Sequence, residues 1–336
     1  MARKEKRIEL LGIAILVAVL LVWLAASLWA MIRIRVFTST TFAAAPIRVH
    51  QPSFLVMTLL AILGITVLYI ALLILTGSQV NLTQLQELPE GLAIVMLLDG
   101  LCKALAAGVM LPLIAATAQN GLDGVGLSLR KLPRGIALGL LAALIILPTM
   151  YLVQAGSGLI GQWIRGGEPP PHPVLLLLAK HPTPLARFIL ITTACLVAPL
   201  MEEIYFRGLL QNACMRLAVL MRPVAPAPDL ATSPAIPAQP PESTQTPILS
   251  YYSQSGPGAW SITNRSRWMA IASVAFLFAL IHFDPGTHNF EVLPPLFLLA
   301  LTLGYLYERT GNLWASITLH AAFNTINTIA FLSGHP

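Results

Sequence analysis

The sequence predicts an all-α fold, a polytopic helical membrane bundle with about eight transmembrane helices. Hydrophobic residues make up 56% of the 336 residues, charged residues only 10%, and the mean hydropathy is +0.76. Soluble domains carry about 25% charged residues. The apolar residues stand in long unbroken runs, which is typical of membrane helices and not of membrane strands.

This composition excludes a soluble enzyme, a disordered chain and a secreted disulfide scaffold. The net charge of +6 lies mostly in loops beside apolar segments, where basic residues are common in membrane proteins, so no nucleic-acid partner is expected. The three cysteines, Cys102, Cys195 and Cys214, are odd in number and lie in apolar runs, which disfavours a disulfide framework.

Eight stretches are long and apolar enough to cross a bilayer, which takes about 20 residues. They lie at about 10–32, 53–76, 91–116, 135–154, 185–220, 267–283, 292–308 and 312–332. The first is interpreted as an uncleaved anchor, because it exceeds the length of a signal peptide and lacks a cleavage pattern. We expect a multi-pass protein of the cell membrane. Its orientation stays open, because the basic N-terminal tail and the other basic loops favour opposite sides.

Two segments between the apolar stretches are polar. The predicted N-terminal part, residues 1–184, holds about four spans and ends in a polar loop at 155–184. The second part, residues 185–332, is interrupted at 222–266 by a stretch rich in Pro, Ser, Thr and Gln. Such a composition cannot bury enough apolar surface to fold alone, so we interpret it as a disordered insertion that acts as a tether.

Charged residues inside apolar segments are candidates for function, because each costs about 2.5–3.5 kcal/mol on insertion. The sequence indicates five such residues, and assigns basic residues such as Arg267 to loops. Asp99 and Lys103 are four residues apart and are interpreted as a structural pair on one helix face. The other three are Glu202, Glu203 and Arg207.

The segment around Glu202 is the richest in candidate chemistry. Glu203 and Arg207 have the i, i+4 spacing that favours an ion pair. Glu202 lies about 100° around the helix from Glu203, so it is predicted to stay unpaired and to face another helix. A neutralised carboxylate beside an unpaired one suits water activation, although a charge cluster that only stabilises the bundle would also fit.

Two further apolar segments carry histidines. His282 follows Phe278 by one helical turn, and His320 precedes Asn324 by one turn. Single membrane histidines are often interhelical hydrogen-bond partners. Two histidines, an asparagine and a free glutamate on three spans are harder to explain in that way. Counting residues from the ends of the spans puts Glu202 and His282 at similar depths in the membrane. His320 comes out about 16 Å from the depth of Glu202.

These residues resemble the CAAX protease and bacteriocin-processing (CPBP) family of intramembrane proteases, which includes the Ras-converting CAAX prenyl endopeptidase. Its motifs Glu-Glu-x-x-x-Arg, Phe-x-x-x-His and His-x-x-x-Asn occur in order over roughly 185–332, and the run Glu308–Trp314 is also similar. The insertion departs from the family pattern without removing a motif residue. The resemblance implies that residues 185–332 are the catalytic core.

The resemblance also implies endoproteolysis of a membrane-associated peptide or protein, of CAAX type or at a C-terminal tail, at the lipid bilayer. In that case Glu202 activates a water, His282 orients it or transfers a proton, and Arg207 orients Glu203. His320 and Asn324 would stabilise the oxyanion. Catalytic residues are therefore expected at Glu202, Glu203, Arg207, His282, His320 and Asn324.

The cofactor requirement is left with two alternatives. The compact zinc signature His-Glu-x-x-His is absent, so a glutamic-type protease without a metal is favoured. A metalloprotease remains the alternative, in which Glu202, His282 and His320 would bind zinc. Two other functions stay open: a non-catalytic membrane scaffold or bacteriocin-immunity-type protein of the same fold, and a transporter with Glu202 as its proton site.

Overall fold

The computed structural model describes residues 18–33, 107–165, 183–220, 264–283 and 290–333, except positions 20 and 119, and the single residues 64, 100 and 105. Every regular element in these ranges is helical, so the all-α class is confirmed for the described part of the chain. The predicted pair Asp99–Lys103, the predicted span at 53–76 and the insertion up to residue 263 lie outside the described residues.

We name the helices of the described residues in chain order. They are α1 (Leu21–Arg33), α2 (Ala107–Thr117), α3 (Gly121–Gly124), α4 (Leu132–Arg165), α5 (184–220), α6 (Asn264–Leu280), α7 (Leu293–Thr310) and α8 (Leu313–Leu332). Short 3₁₀ turns at Leu129–Lys131 and Phe290–Val292 precede α4 and α7.

Three helical stretches of the described residues are long and apolar enough to cross a membrane: Gly121–Ile164, Arg187–Ala218 and Phe290–Thr310. The helix α6 has 17 residues, and α8 carries a histidine and two asparagines that dilute its apolar character. The predicted total of about eight spans therefore stays a prediction.

The predicted boundaries of both polar segments are wrong by several residues. The helix α4 continues to Arg165, so residues 155–165 are helical and not part of a loop. Glycine weakens a helix by about 1 kcal/mol but keeps its backbone donor, so Gly156 and Gly158 interrupt the apolar pattern without ending the helix. Proline removes that donor, and the first proline after this stretch is Pro169. Residues 264–266, assigned to the insertion, begin α6.

The direction of the packed helices follows from their side-chain contacts. The helix α5 runs parallel to α7, because successive side chains of α5 bond successively later residues of α7: Arg207 with Ala300, Gln211 with Gly304, and Asn212 with Tyr307. It runs antiparallel to α8, because His320 contacts Glu203 whereas the later Asn324 contacts the earlier Ala194. Together with α6, which packs against α7, these three helices bring the predicted motifs into one bundle.

The helix α4 supports α8 from the side opposite α5. Gly139 allows their backbones to approach closely, because a Cβ atom there would lie 2.5 Å from Cβ of Thr318 and 2.6 Å from the carbonyl oxygen of Ala315. Gly135, one turn earlier, faces Trp314 with a similar clearance. Small residues at four-residue spacing are a common device for close helix packing in membranes. The helix that carries His320 is thus held by a helix from the N-terminal part.

Candidate active site

The two glutamates lie in a short α-helical segment between two π-helical ones. Ala198–Glu203 is α-helical, Thr193–Val197 precedes it and Ile204–Gln211 follows it as π-helix. π-Helical turns are rare and often mark functional sites, because the altered register moves side chains and leaves carbonyls for other partners. The register of α5 is therefore irregular on both sides of the candidate centre.

The predicted ion pair between Glu203 and Arg207 is present. Nη1 of Arg207 lies 2.9 Å from Oε1 of Glu203, and both side chains are completely buried. The same guanidinium donates to the carbonyl oxygen of Ala300 at 3.2 Å and lies over the Phe278 ring at 4.8 Å. A buried charge needs such compensation, so Arg207 and Glu203 depend on each other for their burial.

His320 connects the two glutamates. Its Nδ1 lies 3.0 Å from Oε1 of Glu203, and its Nε2 lies 3.8 Å from Oε2 of Glu202. The expected depth mismatch of His320 is therefore wrong. Glu203 lies 17 residues before the end of α5 and His320 lies seven after the start of α8. At about 1.5 Å per residue, α5 extends about 15 Å beyond the turn between α7 and α8.

Glu202 differs from Glu203 in its surroundings. Its side chain is 26% exposed, whereas that of Glu203 is fully enclosed. Within the described residues, Oε2 of Glu202 accepts no hydrogen bond, and Nε2 of His320 lies 3.8 Å from it. We call Glu202, Glu203, Arg207 and His320 the site cluster. Glu202 is the partly exposed carboxylate of this cluster.

His282 joins this region through Phe278. The two rings lie 4.7 Å apart, and the Phe278 ring also lies 5.7 Å from that of His320. Nδ1 of His282 is 2.7 Å from the carbonyl oxygen of Phe278 and so donates to it, which leaves Nε2 as an acceptor. The fully buried Phe278 thus contacts Arg207, His282 and His320. In the sequence it stood out only as the first residue of the Phe-x-x-x-His motif.

Asn324 lies against the first π-helical segment. Its Nδ2 donates to the carbonyl oxygen of Ala194 at 2.8 Å. One turn further along α8, Thr328 lies 3.6 Å from the thiol of Cys195 in the same segment. Asn324 therefore fixes α8 to α5, and its second amide hydrogen is left for another acceptor.

The three residues named as possible zinc ligands do not form a metal site in this arrangement. Among the described residues, no group of three or more His, Cys, Asp or Glu side chains could hold a metal ion. Glu202 and His320 are neighbours, but His282 is linked to them only through the Phe278 ring. Whether the protein needs a metal stays a prediction.

The sequence missed a second set of buried charges, near the ends of α6 and α7. The assignment of five charges to the membrane stays a prediction. Arg267, assigned to a loop, is buried in α6 and pairs with Glu308 of α7. Arg216 and Glu291 are buried as well. We call Arg267 and Glu308 the distal pair, since Arg267 precedes His282 by about 22 Å along α6. A signal was available, because both residues adjoin apolar runs.

An apolar pocket lies near the end of α6. It has a volume of about 360 Å³ and is lined by residues of α6 and α7: Phe276, Ala279, Leu280, Leu293, Pro294 and Phe297. His282 follows Leu280 by two residues, so the pocket and the histidine share one end of the bundle. The lining is apolar and can receive an apolar group near this end of α6.

Comparison with protein families gives one match to this region. Residues 184–326 match the family described as type II CAAX prenyl endopeptidase Rce1-like. The resemblance is confirmed for this segment, which is less than half of the chain and contains every residue of the site cluster together with His282 and Asn324. Comparisons with curated proteins and with solved structures give no match.

The match has two consequences at a coarse level. The family is one of proteases, which supports an enzyme over a passive membrane protein. Together with the three long apolar helices, it indicates an integral membrane protein. Both statements agree with the burial of ionisable groups inside apolar helices.

Proposed function

We propose that this protein is an intramembrane endopeptidase in which Glu202 activates a water for attack on a peptide bond. The observation that carries the proposal is the asymmetry between the two glutamates. Glu203 is enclosed and bound to Arg207 and His320 through Oε1, whereas the side chain of Glu202 is a quarter exposed and lies 3.8 Å from Nε2 of His320. A general base must reach the water whose proton it accepts, and Glu202 is the carboxylate that can do so.

His320 is suited to stabilise the oxyanion. The carboxylate of Glu203 contacts Nδ1 and so fixes the orientation of the ring, just as carboxylates orient histidines in other active sites. In this orientation Nε2 points towards Glu202, 3.8 Å from its Oε2. A donor placed where negative charge develops stabilises the transition state strongly in a dry site. Asn324 can add a second donor through its remaining amide hydrogen.

His282 has a different proposed role. With Nδ1 donating to the carbonyl of Phe278, its Nε2 can accept a hydrogen bond from the attacking water or take up a proton. Its position at the end of α6 places it at the edge of the bundle, where it is partly exposed. Arg207 acts by holding Glu203, because the pair would otherwise carry an uncompensated buried charge.

We propose catalysis without a bound metal. The proposal is supported by the contacts that Oε1 of Glu203 already makes with Arg207 and with His320. The catalytic type is tested directly by chelation. If cleavage survives exhaustive chelation, the glutamate-activated water is retained. Loss that zinc alone restores would replace it by the metalloprotease alternative, with Glu202, His282 and His320 as ligands.

The substrate class follows from the pocket. An apolar pocket at the end of α6 that precedes His282 suits a substrate that brings an apolar group. The family description names prenylated CAAX peptides, so a prenylated C-terminal tail is the first substrate to test. Other C-terminal tails and leader peptides are alternatives. We place the site in a multi-pass protein of about eight spans in the cell membrane.

The proposal is tested by cleavage of a membrane-tethered peptide in liposomes that contain the purified protein. Glu202→Gln should lower kcat by about 10²- to 10⁴-fold, the usual contribution of a general base, while the protein stays folded. His282→Ala and His320→Ala should also lose nearly all activity. Asp123→Asn is the matched control, since it makes the same change in an exposed carboxylate.

Full activity of Glu202→Gln would contradict the mechanism. If the wild type cleaves none of the prenylated tails, unmodified tails or leader peptides, the non-catalytic scaffold is favoured. Proton transport that is lost in Glu202→Gln, without any cleavage, would favour the transporter.

A further inference from the structure

A single amide group closes the second π-helical segment of α5. Nδ2 of Asn212 lies 3.0 Å from the carbonyl oxygen of Arg207 and 2.9 Å from that of Gly208. Asn212 is the first residue after the π-helical stretch Ile204–Gln211 and is 2% exposed. Its amide thus satisfies carbonyls inside the segment that carries Arg207.

Asn212 is itself held by a second helix. Its Nδ2 lies 2.7 Å from the hydroxyl oxygen of Tyr307 on α7, and that hydroxyl donates to the carbonyl oxygen of Val125 at 3.0 Å. All three residues are buried, and Tyr307 is completely so. A hydrogen-bond relay therefore runs from the turn before α4, through α7, to the backbone of α5.

The turn that contains Val125, where this relay begins, is held by the run Glu308–Trp314, which resembles the family. The amide nitrogen of Leu313 donates to the carbonyl of Gly126 at 3.1 Å, and Nε1 of Trp314 donates to that of Ser128 at 3.1 Å. Gly126 has φ of +85°, and a Cβ atom there would lie 2.6 Å from the carbonyl oxygen of Gly311. The turn at 125–128 is therefore clamped against the junction of α7 and α8.

We infer that Asn212 and Tyr307 are positioning residues, which hold the π-helical register of α5 and thereby set Arg207 against Glu203. The inference rests on the proposed function for its effect on catalysis. Buried carbonyl oxygens need hydrogen-bond donors, and the side-chain amide of Asn212 donates to one or both of the carbonyls of Arg207 and Gly208. If the segment returned to α-helix, the rotation between Glu203 and every later residue would change.

The consequence for the site cluster is geometric. Arg207 reaches Glu203 and the carbonyl of Ala300 together, and a change of register would separate it from one of them. Glu203 would then lose part of its compensation and no longer orient His320 in the same way. Small displacements at a catalytic centre lower the rate strongly while leaving substrate binding largely intact.

The test compares Asn212→Leu, Tyr307→Phe and the double variant in the liposome cleavage assay. Asn212→Leu is expected to lower kcat roughly 10- to 100-fold with little change in KM, because misplacement acts on the chemical step. Tyr307→Phe is expected to have a smaller effect in the same direction. The double variant should be no slower than Asn212→Leu, since residues of one network are not additive.

Asn327→Leu is the matched control. Nδ2 of Asn327 also donates to a backbone carbonyl one turn earlier, that of Phe323, but it lies outside the relay. Its kcat should equal that of the wild type. Asn212→Gln, which keeps an amide donor, should recover part of the lost rate.

Hydrogen–deuterium exchange gives a readout that does not depend on activity. Asn212→Leu and Tyr307→Phe should increase amide exchange across 204–213, and Asn327→Leu should not. If the wild type cleaves no substrate but this pattern appears, the proposed function fails and the positioning role is retained. If the wild type cleaves and the Asn212 and Tyr307 variants match it, or their effects simply add, the inference is overturned.

Discussion

The molecule buries two Arg–Glu pairs, and they have different surroundings. Arg207 and Glu203 lie within one helix and are completely buried, whereas the distal pair of Arg267 and Glu308 joins α6 to α7. The first pair adjoins Glu202 and His320, so its neighbourhood holds more ionisable groups than are needed for charge compensation. Burial of an ion pair therefore does not by itself indicate a catalytic centre, whereas further ionisable groups beside the pair make the region a candidate.

The largest expected difference comes from replacing each pair by apolar residues. Arg207→Met/Glu203→Leu should lower kcat by about 10²-fold or more, because His320 loses the carboxylate that orients it. Arg267→Met/Glu308→Leu should leave kcat within about twofold, since distant sites act independently. Replacing a buried pair by apolar residues is often neutral, or stabilising by about 1–4 kcal/mol, so the free energy of unfolding should not fall.

Cleavage rates and unfolding by denaturant in detergent measure these two quantities separately. An equal loss of kcat in both double variants would show that the two pairs do not differ in the way proposed here.

A second prediction concerns the support of the site cluster by α8. Gly139→Leu forces α4 away from α8 and should lower the free energy of unfolding by about 1–3 kcal/mol, as overpacking does. Cleavage should fall as well, because His320 lies on α8. Gly158→Leu on the same helix is the control, since nothing lies within 4 Å of a Cβ atom at that position.

Thermal unfolding and cleavage of both glycine variants measure this effect. The distal pair joins α6 and α7 and does not involve α8. A Gly139→Leu protein that unfolds and cleaves like Gly158→Leu would contradict the close contact between α4 and α8.

The smallest effect is expected at an exposed ion pair. Asp123 and Lys131 lie 2.8 Å apart with side chains that are 58% and 42% exposed. Such pairs contribute about 0–1 kcal/mol, because water screens the charges and the long side chains lose freedom. Asp123→Asn should therefore change the free energy of unfolding only slightly. Removal of one partner from either buried pair should change it more. A larger loss would indicate that this pair also fixes the turn before α4.

Local patterns predicted the parts of the site that depend on neighbours in sequence. The Glu203–Arg207 pair follows from i, i+4 spacing, and the placement of Phe278 beside His282 follows from the same rule. The spans that form α5, α7 and α8 follow from long apolar runs. Hydropathy failed where polar or small residues interrupt a helix, which is why α4 extends further than predicted.

Contacts between distant residues could not be read in this way. Arg267 and Glu308 are 41 residues apart, and each looked like a residue at the edge of a span. The π-helical segments were not predicted either, because their carbonyls are satisfied by Asn324 from α8 and by Asn212 with its partner Tyr307 from α7. Local propensity carries no information on such partners.

The sequence by itself determined that the protein is helical, that it is built for a membrane, and that Glu202 stands beside an already paired Glu203. These features depend on composition and on spacing along one helix, which are local properties. The tertiary structure decided that His320 bridges the two glutamates, that Phe278 gathers three site residues, and that α4 holds α8 in place. These depend on which helices pack together and at what depth, and only close packing of the whole bundle sets that relation.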